Sequence, residues 1–167
     1  MHHMRNITNT LHNEHMATIS LLNRMEEQVM AHRPGNPPNA ADDEVAKLLR
    51  DIASNVESEI SGHFSFEEEH LFTRLAEMGD ENIGILLTEE HHVMLPIGQR
   101  LVALSKEARQ NGFTVENWEE FRRLVGEFIE RMIAHIQKEE MGLLPVLDDV
   151  IDDEEDGQLS TAYAMSR

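Results

Sequence analysis

The sequence predicts an all-α protein, an antiparallel up-down-up-down four-helix bundle with a metal site in its core. Three observations carry this prediction. Turn-forming residues divide the chain into four long segments, apolar residues recur within each segment at helical spacing, and histidine and glutamate interrupt the apolar stripes at matched places. β-branched residues nowhere alternate with polar ones for long, so strands are not expected.

The breaks fall at Arg33 to Asn39 (RPGNPPN), at Gly79-Asp80 and at Asn111-Gly112. The first helix is expected from about Asn9 to Ala31, with Leu11, His15, Thr18, Leu22, Met25 and Val29 along one face. The second should run from Asp43 to Met78, opened by Asp42 or Asp43 and closed by Gly79, with Leu49, Ile52, Val56, Ile60, His63 and Glu67 as its stripe. The third, from Asn82 to about Gln110, carries Leu87, His91, Met94, Gly98 and Val102, and Pro96 predicts a kink just after the histidines. The fourth runs from Val115 to about Val150 behind a Thr114 cap. Phe121, Val125, Phe128, Met132, His135 and Glu139 step along one of its faces, and Pro145 should bend or end it. Short connections favour antiparallel neighbours, hence the up-down-up-down order. Residues 1–151 are then the bundle, and residues 152–167, acidic and then small and polar, are expected to be a solvated C-terminal tail.

Composition bounds the function. A chain of 167 residues, 40% apolar, suits one domain with a proper core. With 32 acidic against 14 basic residues its net charge is −18, which repels nucleic acid and anionic membranes. No apolar run is long enough for a membrane span and no signal peptide is apparent, so a cytoplasmic location is expected. Cysteine is absent, which excludes thiolate sites and leaves imidazole and carboxylate as metal donors. The terminal His2-His3 pair is assigned no role.

His135 and Glu139 lie on the stripe that buries Phe128 and Met132, where an unpaired imidazole and carboxylate would be costly. Four residues apart on a helix, they point to one side and can direct a nitrogen and an oxygen at one centre. His63 and Glu67 repeat the pair, and His15 and His91 each stand alone on their stripes. The candidate ligands are therefore His15, His63, Glu67, His91, His135 and Glu139. His12 is an alternative to His15, Glu140 to Glu139, and His92 to His91, although only His91 continues its stripe. His70 is a surface group, an outer-layer group or an extra ligand, and Glu68 and Glu69 are solvated or outer carboxylates. Four imidazoles and two carboxylates suit iron or manganese, with zinc possible on affinity. If each glutamate bridges, each of two metals receives two nitrogens and two oxygens, an oxo or hydroxo bridge adds a fifth donor, and one position stays open for a small molecule. Ferritin-like bundles use Glu-x-x-His and more carboxylates, a different pattern.

At these residues the chain resembles the hemerythrin-like HHE cation-binding family. The matching segments are His12-Asn13-Glu14-His15, His63 to Phe72 (HFSFEEEHLF), Glu90-His91, and His135 to Pro145 (HIQKEEMGLLP), within about residues 8–150. The resemblance implies a four-helix fold and a non-heme di-iron centre. Oxygen-carrying members have a second third-helix histidine where this chain has Leu95, and an aspartate where it has Glu140. The four-histidine, two-glutamate set is instead similar to bacterial di-iron proteins of nitric-oxide stress and iron-centre repair, which typically carry a cysteine-containing domain. Three functions follow as expectations: binding or sensing of a diatomic ligand, dioxygen or nitric oxide; reduction of peroxide or nitric oxide, with an electron-transfer partner and with His70, His12 or Glu140 supplying protons; and iron storage or donation.

Overall fold

The computed structural model describes residues 4–166, and among them there are helices and no strand. The His2-His3 pair lies outside the described residues. The helical segments are α1 (Asn6–Ala31), α2 (residues 43–77), α3 (Asn82–Asn111), α4 (residues 115–150) and α5 (Asp153–Met165). The first four match the expected segments to within three residues.

Helix ends follow local chemistry where the sequence supplied it. The Thr114 hydroxyl accepts from the Asn117 backbone N–H at 3.1 Å, and Asn117 Oδ1 accepts from the Thr114 N–H at 2.7 Å, a reciprocal cap for α4. Gly79 (φ 88°) and Gly112 (φ 80°) close α2 and α3 in the left-handed region, where a Cβ would be strained. Asp42 precedes α2, but its side chain caps nothing; the first turn has Asp43 and Glu44 to complement the helix dipole. α1 starts three residues earlier than expected because its cap comes from far along the chain. The buried Asp156 carboxylate accepts from the N–H groups of Asn6 and Ile7, both at 2.9 Å, and buried Asp148 accepts from the Arg5 N–H at 2.9 Å.

α3 continues unbroken through Pro96. α4 also passes Pro145 and runs on to Val150, preceded by a π-helical turn at Glu139–Leu143. A widened turn lets a helix carry a proline, which offers no N–H to the preceding turn. α2 contains three more such turns, at Ile52–Val56, Ser58–His63 and Glu67–Leu71. His63 closes one of them, and Glu67 and Glu139 each open one. π turns inside α-helices are uncommon and concentrate at functional sites.

The tail expectation is corrected from Asp153 onward. Asp152 caps α5 by accepting from the Glu155 N–H at 2.8 Å, so the acidic run Asp153 to Asp156 is the first turn of a helix, where negative charge is favourable. Tyr163 is buried, and Leu159 and Ala162 pack with it on the bundle.

α1 packs against α2 and α4, α3 packs against the same two, and α5 lies on α1. The core has two apolar layers. One contains Leu22, Leu49, Ile52, Phe64, Met94, Trp118, Phe128 and Met132, and the other Ile7, Leu11, Phe66, Leu71, Leu87, Leu143, Leu147 and Tyr163. Burying each large side chain contributes about 1.5–3 kcal/mol. Between the layers sit a buried histidine from each of the first four helices and the buried glutamates of α2 and α4. An unsatisfied buried polar group costs about 1–3 kcal/mol, so this middle layer must be reconciled by its own chemistry.

Candidate metal centre

His15, His63, Glu67, His91, His135 and Glu139 are all buried, and they converge in two groups that share both glutamates. One group is His15, His63, Glu67 and Glu139, and the other is Glu67, His91, His135 and Glu139. The split runs through each carboxylate. Glu67 presents Oε2 to His63 Nε2 and Oε1 to His91 Nε2, both at 3.2 Å. Glu139 presents Oε1 to His15 Nε2 at 2.8 Å and to His63 Nε2 at 3.7 Å, and Oε2 to His135 Nε2 at 2.6 Å and to His91 Nε2 at 4.0 Å.

The opposite nitrogen of every imidazole meets an outer carboxylate. His15 Nδ1 donates to Glu140 Oε2 (2.7 Å), His91 Nδ1 to Glu68 Oε2 (2.8 Å), and His135 Nδ1 to Glu90 Oε1 (2.8 Å). His63 Nδ1 faces both Glu14 Oε1 (3.1 Å) and Glu59 Oε2 (3.2 Å). An ionised carboxylate only accepts, so each Nδ1 carries a proton and each Nε2 is the nitrogen left to act as a ligand. This is the carboxylate–histidine arrangement that orients metal-binding imidazoles and raises their basicity.

In this layer burial opposes charge and the close His/Glu neighbours favour it. Burial opposes charge on His15, but the hydrogen bond and charge of Glu139 outweigh it and push the imidazole up to about 9. Burial likewise loses at His91, where Glu139 and Glu67 push it up to about 10. His63 is raised well above its ordinary range, against burial, by Glu59 and Glu67, and His135 is raised, also against burial, by Glu139. Glu67 is driven upward by burial and by the charge of Glu139. Glu139 is held well below the usual carboxylate range in spite of burial, because Glu67 and the imidazoles of His135, His15 and His63 close around it and favour its charged form. Protons on this layer thus occupy the lone pairs a metal would use.

The donor set fits metal ions. His63 Nε2, both oxygens of Glu67 and Oε2 of Glu139 are buried, with close neighbours but no aligned hydrogen bond. Within each group one donor atom per residue lies within 4.8 Å of the others, a spacing that nitrogen and oxygen donors take around a cation. A model of the hemerythrin HHE cation binding domain matches residues 6–156. The chain belongs to this family. Hemerythrin HHE domains bind metal ions, and the buried His/Glu groups fit that property here. No curated protein and no solved structure gives a significant match to this hemerythrin-type chain.

The alternatives left open in the sequence now have places. His12 is half-buried on the flank of α1, with Nδ1 2.5 Å from Glu140 Oε1, outside both groups. Glu140 serves His12 and His15 from outside, while Glu139 faces the centre. His92 is exposed, as is His70, which lies against the Phe66 ring at 4.8 Å. Glu68 is an outer carboxylate, and Glu69 is exposed. Trp118 is a packing anchor whose Nε1 donates to the Arg33 carbonyl at 3.1 Å. Sequence reasoning assigned no role to Glu14, Glu59, Glu90 or Tyr163. Glu59 carried a signal, since it precedes His63 by four residues and continues the helix face through Glu67. Glu14 and Glu90 serve histidines on other helices, so no local spacing could mark them.

Proposed function

We propose that this chain is a non-heme di-iron protein that binds or senses a small diatomic ligand, dioxygen or nitric oxide. The observation that carries the proposal is the division of Glu67 and Glu139 between two histidine pairs. A carboxylate with one oxygen toward each pair suits a site for two cations, which His15, His63, His91, His135, Glu67 and Glu139 would hold between them. Iron is the metal this nitrogen and oxygen set suits within the family, with manganese or zinc as competitors. When bound, the pair of ions supplies a Lewis-acidic, redox-active centre for a small molecule. His15, His63, His91 and His135 would hold it through Nε2, and the outer carboxylates keep their rings from turning. Phe64 stacks on His91 with ring centroids 3.9 Å apart and planes 6° apart, which keeps water from that imidazole face. A groove of about 400 Å³ between α3 and α4, lined by Leu86, Val93, Met94, Arg131 and Lys138, runs to Glu90 beside His135 and suits the approach of a small ligand. The mutual packing of the first four helices supports the antiparallel up-down-up-down arrangement as the frame.

A second proposal, turnover of peroxide, is favoured by the chain of contacts from half-buried His12 through Glu140 to His15. His12 is the solvent-side end of this chain, and Glu140 joins its ring to that of His15, which gives a hydrogen-bonded path from solvent to the site. Adding dioxygen or nitric oxide to the anaerobically reduced, iron-loaded protein tests the first proposal through its absorption spectrum. A spectrum unchanged by both gases contradicts it. Steady peroxide consumption above that of free iron, reduced in His12→Ala, would favour the second.

A further inference from the structure

We propose that Tyr163, on the C-terminal helix, is a positioning residue for one half of the metal centre, acting through Glu14 on His63. The inference rests on the two-metal proposal above and adds an inequivalence between the two ions.

Tyr163 is the chain's one tyrosine and is 3% exposed. Its ring packs on Phe66 at 4.7 Å and stands edge-on to His63 at 6.4 Å. Its hydroxyl donates to Glu14 Oε1, the same oxygen that faces His63 Nδ1. Glu14 is partly exposed, its side chain 18% accessible, whereas Glu67 is fully buried. The phenol hydrogen bond ties down the oxygen that faces His63, and that oxygen orients the imidazole. His63 has one Nδ1 proton, and its aligned hydrogen bond goes to Glu14, with Glu59 a close carboxylate on the other side. α5 is itself firmly placed. Asp156 holds the start of α1, and Arg74 Nε donates to Glu155 at 2.6 Å.

The other histidine pair has no share in this arrangement. His91 is held by Glu68 and the Phe64 stack, and His135 by Glu90, which Lys138 pairs at 2.5 Å. Loss of the phenol oxygen should therefore loosen the ion between His15 and His63 and spare the ion between His91 and His135. α5, an acidic tail by sequence, becomes the outer support of one metal.

The test is release of ferrous iron from anaerobically loaded protein to an excess of a coloured ferrous chelator, in wild type and in Tyr163→Phe, which keeps the ring. Outer-layer contacts of this kind are worth about 10–100-fold in metal affinity. Wild type should release two equivalents slowly. Tyr163→Phe should release one equivalent about 10-fold faster or more, and the second at the wild-type rate. Glu14→Gln should reproduce the split phase from α1, which guards against a folding defect in α5. A general loss of packing would speed both equivalents together, and that result, or release indistinguishable from wild type, overturns the proposal. Wild-type protein that holds fewer than two irons overturns the two-metal proposal itself and removes the basis of this one.

Discussion

His63 and His91 stand on opposite sides of Glu67, each with Nε2 at 3.2 Å from a different oxygen of that carboxylate. The consequence is a conflict between metal binding and stability. Without a cation, Glu67 is a buried acid that burial and Glu139 both push away from ionising. Its raised value means the folded state favours the protonated form, so Glu67 works against stability as pH rises past the ordinary carboxylate range. Glu67→Gln should therefore abolish paired metal binding while leaving metal-free protein as stable at pH 7 or more so. A gain of about 1 kcal/mol, roughly 2–4 °C in melting temperature, is expected. Calorimetry of the metal-free variant beside its metal content checks both halves.

Protonation of the histidines gives the metal-free protein a pH signature. Values of about 9 for His15 and about 10 for His91 lie above the ordinary 6.5. A raised folded value contributes stability that is full below 6.5 and is lost as pH rises through 9 to 10. The metal-free melting temperature should fall across that window. Metal affinity should move in the opposite direction, rising with pH, because binding displaces those protons. Melting curves of both forms from pH 6 to pH 10 test the pair of signs; parallel curves would contradict it.

The outer carboxylates predict graded losses. Glu90→Gln and Glu140→Gln remove the charge that fixes the Nδ1 proton of His135 and His15, and each should weaken metal retention by about 10–100-fold. His92→Ala and Glu69→Gln, at exposed positions, should leave it unchanged. Competition with a chelator distinguishes the two sets.

Much of this site was legible in the sequence because α-helical spacing is a local rule. The faces through Leu49 to Glu67 and Phe121 to Glu139 are buried throughout, and on the face through Leu87 His91 is buried while His92 is exposed. What escaped was non-local. Asp156 caps a helix that begins 150 residues earlier, Glu90 serves His135 across a helix pair, and Tyr163 reaches Glu14. The acidic run after Asp152 carried two physical meanings, solvated tail or helix start, and only the packing of Leu159, Ala162 and Tyr163 decides between them. The π turn at Glu139 is foreshadowed by Pro145, but no proline marks those at His63 and Glu67.

Two glycines set how closely α3 approaches α2 on either side of His91. A Cβ on Gly84 would lie 2.9 Å from Phe72 Cβ, and one on Gly98 would lie 3.0 Å from Ile60 Cγ2. Each is seven residues from His91, so α3 is pressed against α2 two turns above and below the imidazole. Gly84→Ala should cost about 1–3 kcal/mol by forcing the helices apart, and should weaken metal retention with it. Denaturant midpoints and chelator competition on the same variant check that the two losses occur together.

The central claim is that Glu67 and Glu139 bridge two metal ions between His15/His63 and His91/His135. Its most direct measurement is iron per chain, by elemental analysis, in wild type and in Glu139→Ala after anaerobic loading and desalting. The account predicts two irons in wild type and near none in the variant, because Glu139 faces all four histidines. One iron or none in wild type, or two retained in Glu139→Ala, would contradict it.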